Sequence, residues 1–170
     1  MDLLTTMKIG AALVGVLAVG TMFLPRHVEV ARSATLPVAP ERVLALAASN
    51  EGYQRFNPYA DTDPALKIDM FGPSEGVGSG FAFAGKEGKG TQTVTAQDAE
   101  SVTFAIDLGA MGQPVQSIRA VEVDGGSAVT WTVQSDMGFN PVFRVFGLFM
   151  DGMMGPVFER GLAKLGRAAA

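Results

Sequence analysis

Apolar residues recur along this chain in two rhythms. After Pro25 they fall on alternate positions in a series of short runs. After Asn140 they return every three or four positions. Alternation places one side-chain set on each face of a half-buried strand, whereas a three-to-four spacing builds one face of a helix. Residues 27–36 form the first alternating run. Residues 41–48, with Pro40 at their start and Val43, Leu44 and Ala47 in helical phase, predict a short helix, and residues 49–56 a further helical turn. Six more strands are expected over 66–71, 78–84, 91–97, 102–108, 115–124 and 128–137. Gly85, Gly88, Asp98, Gly109, Gly112, Gly125 and Gly126 punctuate them. These connections are too short for parallel crossovers, so the sheet should be antiparallel. Strands followed by a long helix predict an α+β fold, with the helix over one sheet face.

That helix is expected over 140–167. Asn140 can cap it through its side-chain oxygen, and Pro141 suits the first helical position. Val142, Phe146, Phe149, Met153 and Val157 share one face, widened by Phe143, Met150, Met154 and Phe158. Arg144, Asp151, Glu159, Arg160, Lys164 and Arg167 lie mostly off it. Gly147, Gly152, Gly155 and Pro156 weaken the middle, and Pro156 predicts a kink or break near Gly152. The Met and Phe stripe reads as core, or as the roof of a cavity whose soft Met side chains adapt to a ligand. In the second case the cavity lies between the last strand and this helix. Val129, Trp131 and Val133 face it from the strand.

The N-terminus follows neither rhythm. Residues 9–24 are sixteen uncharged residues between Lys8 and Pro25-Arg26. A spanning helix wants about 20 apolar residues and at least about 17, so the run is short for an anchor and long for a cleaved signal core. Residues 1–26 are read as a single transmembrane anchor, with a signal-like segment as the alternative, and residues 27–170 as one domain. The expected location is a bacterial inner membrane, crossed once. Lys8 against Arg26 and Arg32 favours a cytoplasmic domain, whereas an N-terminal signal-anchor with a short tail favours the outside, so the side stays open.

Composition narrows the chemistry. Of 170 residues, 48% are hydrophobic and 18% charged, which supports a real core. The net charge is −4 without a Lys/Arg cluster, and nucleic-acid binding needs concentrated positive charge. There is no cysteine, so disulfides, thiolate metal sites and thiol catalysis are excluded. The single His27 leaves a Ser-His-Asp triad or a His-based zinc site without support. No cofactor or metal site is expected.

Several segments resemble one family. They are Tyr53-Gln-Arg-Phe-Asn-Pro-Tyr59, Asp63-Pro64, Gly76-Val-Gly-Ser-Gly-Phe81, Gly88-Lys-Gly90 with Thr91 to Thr95, Val129-Thr-Trp-Thr132, and Gly147-Leu-Phe-Met150 followed by Phe158-Glu-Arg-Gly-Leu162. Together they resemble the polyketide cyclase/dehydrase branch of the START-like, or SRPBCC, superfamily, over roughly residues 28–165. Phe56-Asn57-Pro58-Tyr59 departs mildly from the aromatic-rich motif of that family. The resemblance implies the helix-grip fold, a curved antiparallel sheet around a long C-terminal helix. It also implies a cavity for a hydrophobic ligand, and no shared catalytic set.

The candidate ligand-binding residues are Tyr53, Gln92, Phe104, Arg119, Trp131, Phe146, Met150 and Met153; none is cast as catalytic. On strand 115–124, Val115, Ser117, Arg119, Val121 and Val123 share the more apolar phase, which would turn Arg119 inward to hold a carboxylate or carbonyl. In the other reading a local bulge turns Arg119 outward, or it pairs with Asp107 or Glu122. Gln92 shares its phase with Val94. Tyr53 sits near the cavity mouth by the resemblance. Two functions follow: a membrane-anchored module binding a lipid, isoprenoid or quinone-like molecule, or an accessory subunit packing against a membrane-protein partner. A cyclase-type enzyme ranks third, because no acid/base pair stands out.

Overall fold

The computed structural model describes Met7 and residues 20–170. Most of the apolar run expected to anchor the chain lies outside the described residues. Among those described, no helix is long and apolar enough to cross a membrane.

Seven strands form one antiparallel sheet in the order β1-β7-β6-β5-β4-β3-β2. They are β1 (His27–Leu36), β2 (Lys67–Phe71), β3 (Gly80–Gly85), β4 (Gly88–Gln97), β5 (Ser101–Asp107), β6 (Val115–Val123) and β7 (Gly126–Asp136). Two short helices, α1 (Pro40–Ala48) and α2 (Asn50–Phe56), link β1 to β2. Helices α3 (Pro141–Gly147) and α4 (Met150–Ala169) close the chain. The first and last strands pair along their whole length, from His27 opposite Asp136 to Leu36 opposite Ser127. The α+β expectation and the antiparallel sheet both hold.

Alternation gave the right inward face on β7, where Val129, Trp131 and Val133 are buried. On β6 it gave the wrong one. Gln116, Ile118 and Ala120 face the core, while Val115 and Arg119 are exposed. The valines that made the other phase look apolar sit at the ends of the strand, where burial is least. Ile118, at its centre, decides the face. On β4 the phase of Gln92 and Val94 stops at a bulge before Ala96, which is exposed.

The C-terminal stretch is two helices. The last turn of α3 tightens, with the amides of Leu148 and Phe149 donating to the carbonyls of Val145 and Phe146. Pro156 lies inside α4 without breaking it. The carbonyl that loses its partner there belongs to Gly152, which is exposed and so can be hydrated. The break thus falls at residues 148–149, not near Gly152. It does not change which side faces the core: Phe143 and Gly147 before it and Met150, Met154 and Phe158 after it keep one three-to-four spacing. Val142, Phe146, Phe149 and Met153, expected on the core face, are exposed. The core is faced instead by Met150, Phe158, Leu162, Leu165 and Ala169 of α4.

Helix α4 packs against β1 and over Trp131. Trp131 stacks on Phe158, with ring centroids 5.1 Å apart and planes 10° from parallel. A methyl on Gly161 would collide with the same ring, so only glycine permits this approach. Arg32 of β1 clamps α4 from outside, donating to Asp151 at 2.8 and 3.0 Å and to Glu159 at 3.0 Å. Its guanidinium lies where a side chain on Gly155 would have to be.

Candidate functional site

The space expected as a cavity between β7 and α4 is filled. Trp131 is 1% exposed. Besides Phe158 it meets Phe56 edge-on at 5.7 Å and Tyr53 at 6.2 Å. A small void among the described residues lies further along the sheet, beneath the start of α2.

Helix α2 is positioned by its N-terminus. The Ser49 side chain caps it by accepting from the Gly52 amide at 3.2 Å. The Asn50 side chain donates to the carbonyls of Phe71 and Pro73 at 3.0 and 3.3 Å, tying the helix to the β2–β3 connection. Tyr53, one turn on, points at the concave face of the sheet among Phe56, Phe81 and Phe104, with centroids 4.7 to 5.7 Å away.

Its hydroxyl meets two amides from the sheet. Gln116 of β6 donates to it through Nε2 at 3.1 Å, a contact buried on both sides. Burial pushes the Tyr53 hydroxyl well above its ordinary pKa, and the Gln116 and Gln92 amides oppose that shift. At neutral pH Tyr53 is therefore a neutral donor and acceptor, not a base. Gln92 of β4 is equally buried; its amide lies near enough to the hydroxyl to favour the phenolate, but its Nε2 makes no hydrogen bond of good geometry among the described residues. Beside these groups lies a void of about 10 Å³, lined by Phe81, Gln92, Val94 and Phe104 from the sheet and by Ala47, Ser49, Asn50 and Tyr53 from the helical side. That is room for about one water molecule.

Of the eight residues singled out from sequence, the structure gathers three around this void: Tyr53, Gln92 and Phe104. Trp131 stands behind Tyr53. Met150 is buried at the start of α4, away from the lining. Phe146 and Met153 are exposed. Arg119 lies on the outer face of the sheet and pairs with Glu100, which corrects its inward placement. Gln116 was missed because the phase of β6 was inverted. The signal that could have found it was Ile118, a large aliphatic residue at mid-strand two positions away. The Asn57-Pro58 segment has a structural role. The Asn57 side chain accepts from the Tyr59 amide at 3.0 Å, and its carbonyl accepts from Lys164 of α4 at 3.0 Å.

Residues 27–170, the whole sheet and its helices, match the family described as polyketide cyclase/dehydrase and lipid transport. The chain belongs to that family. No curated protein matches it. Solved structures share its fold at low identity. Protein CV1439 from Chromobacterium violaceum is 12% identical with a TM-score of 0.60, covering 82% of this chain and 96% of that one. Protein SA2116 from Staphylococcus aureus, of unknown function, is 17% identical with a TM-score of 0.62, over 84% and 93%. The di-domain ARO/CYC StfQ of the steffimycin biosynthetic pathway is 7% identical with a TM-score of 0.62, over 84% of this chain and 50% of that one. Within the family fold, this member carries an uncharged hydrogen-bonding cluster in an aromatic core.

Proposed function

We propose that this protein is a membrane-tethered binding module for an apolar small molecule of the lipid, isoprenoid or quinone kind. The ligand's polar end would meet Tyr53, Gln92 and Gln116 beneath α2. The observation that carries the reading is the buried Gln92 amide nitrogen without a hydrogen-bond partner. Such a group costs stability, and a ligand carbonyl or hydroxyl at the void would satisfy it. Among the lining residues there is no carboxylate, imidazole or amine, which supports binding over acid–base turnover. The tether is read from the uncharged run of residues 9–24.

Apolar ligands usually fill about 300–1,000 Å³, so binding requires α2 to lift from the sheet. The aromatic ring cluster under α2 would then part around the guest. Trp131, the single tryptophan, stands beside Tyr53 and reports this movement. Titration with fatty acids, isoprenoids and quinone analogues should change its emission saturably. Gln92→Leu should weaken that binding by about three- to tenfold, the worth of one hydrogen bond.

A second reading is an accessory subunit of a membrane complex that binds no ligand. The filled space between Trp131 and Phe158 favours it. A Trp131 emission that no apolar ligand perturbs would select this reading.

A further inference from the structure

Helix α3 is built inside out. Its buried positions are Arg144, 6% exposed, and Gly147. Phe143 packs against the core, but the helix's other apolar side chains face away from the protein: Val142 is 69% exposed and Phe149, just beyond its end, 60%. Phe139, Val145 and Phe146 are exposed beside them. Val142, Val145 and Phe146 fall on the side of α3 opposite Arg144, with Phe139 ahead of its N-cap and Phe149 beyond its end. Contiguous exposed apolar surface of this kind marks an interaction site.

The end of the N-terminal apolar run is tied to the same helix. Arg144 donates through Nη1 to the carbonyls of Met22 and Leu24 at 2.9 and 2.7 Å, and through Nε to the carbonyl of Gly138 at 2.9 Å. Phe23, 87% exposed, leaves the protein here. The Phe139 ring lies between two guanidinium groups, 5.1 Å from that of Arg26 and 5.9 Å from that of Arg144. The sequence of α3 contains no acidic residue.

We propose that the apolar face of α3 seats in the interfacial layer of a lipid bilayer, beside the point where the tether enters it. The inference rests on the tethering part of the reading above. Three observations select lipid as the occupant. The face is continuous with the end of a sixteen-residue uncharged run. An aromatic side chain flanked by arginines suits the headgroup boundary. A helix apolar on one side, lying flat, is the form that enters it, to a depth of about 5–10 Å. The seat would hold the domain at a fixed tilt instead of letting it swing on a flexible stalk.

The chain has no cysteine, so single cysteines carry a unique label. Val142→Cys, Phe149→Cys and Asp124→Cys would each be labelled in the full chain with a polarity-sensitive dye. The proteins would then be reconstituted into vesicles of phosphatidylcholine and phosphatidylglycerol that contain lipids bearing a nitroxide near the glycerol. Asp124 is the control, exposed at the far end of β7, roughly 35 Å along the strand from Asp136. Flotation reports the tether separately. The expected result is that the dyes at positions 142 and 149 shift to the blue and lose most of their emission to the nitroxide, while that at 124 does neither. Floated protein whose three dyes behave alike would overturn the seat and leave the tether standing. Dyes at 142 and 149 that are already blue-shifted without lipid and insensitive to the nitroxide would overturn it too, because the N-terminal segment or a second copy then covers the face. A chain that does not float would end both readings.

Discussion

A buried amide nitrogen that makes no hydrogen bond costs a fold about 1–3 kcal/mol, and Gln92 holds one in the middle of the aromatic core. If that cost is kept for binding, the empty protein should become more stable when the polar group is removed. Gln92→Leu is expected to raise the unfolding free energy by about 1 kcal/mol in urea titration, while weakening any ligand. A variant that is destabilised instead would show that the amide is satisfied in the native state, and its functional role would fall with it. Gln116, which does have a partner, is the contrast. The two residues are the same type on the same face of one sheet, yet only one was visible from sequence. Gln92 shares its phase with Val94 on a strand whose polar and apolar sets separate. Gln116 sits on a strand whose valines lie at the ends, so counting apolar residues chose the wrong side. Arg144 was placed off the apolar stripe, but its burial was not legible, because its partners are backbone carbonyls, two of them about 120 positions away, and carbonyls leave no mark in a side-chain pattern.

At the scale of elements, the last strand and the two C-terminal helices show where periodicity holds and where it slips. The face of β7 was legible because Val129, Trp131 and Val133 alternate with threonines and no bulge interrupts them. The stripe running from Val142 to Val157 is real in sequence, but the neighbouring stripe of Phe143, Gly147, Met150, Met154 and Phe158 is the one that faces the core, and Val142, Phe146, Phe149 and Met153 point at solvent. A tight turn at residues 148–149 separates α3 from α4. Proline was the wrong marker of that turn, since Pro156 is carried within α4 one turn after Gly152, whose carbonyl is free to meet water. Gly152 itself sits on an open helical surface with no atom near the position of an added Cβ. Gly152→Ala should therefore stabilise the protein by up to about 1 kcal/mol, measured by thermal or chemical unfolding. Destabilisation would mean that the glycine serves a close contact, such as the membrane face proposed for its neighbours.

For the whole molecule, the junction between the N-terminal apolar run and the domain matters more than the sequence suggested. The strand pattern begins after Pro25, which invites a boundary at residue 26. Yet Arg144 holds the carbonyls of Met22 and Leu24, and Arg26 pairs with Asp136 at 2.7 Å. A fragment of residues 20–170 keeps these partners, whereas one of residues 27–170 leaves a buried guanidinium short of two acceptors. Both should fold cooperatively by near-ultraviolet circular dichroism, with the shorter less stable by about 1–3 kcal/mol. Equal stability would show that Arg144 exchanges those carbonyls for water at no cost. The family fold itself was legible from motifs spread over most of the chain. The closed interior was not, because whether a ring cluster leaves a gap depends on how Trp131, Phe158, Phe56 and Tyr53 nest. Such nesting is decided by angles and distances that no spacing encodes.

The central claim is that a small apolar molecule occupies the space beneath α2. Native mass spectrometry of the full chain, extracted gently from a membrane and released into the gas phase, tests it most directly. A bound apolar mass is expected on the wild-type chain, lost or much reduced on Gln92→Leu. A wild-type chain that carries no such mass, and instead arrives with a protein partner, would contradict it.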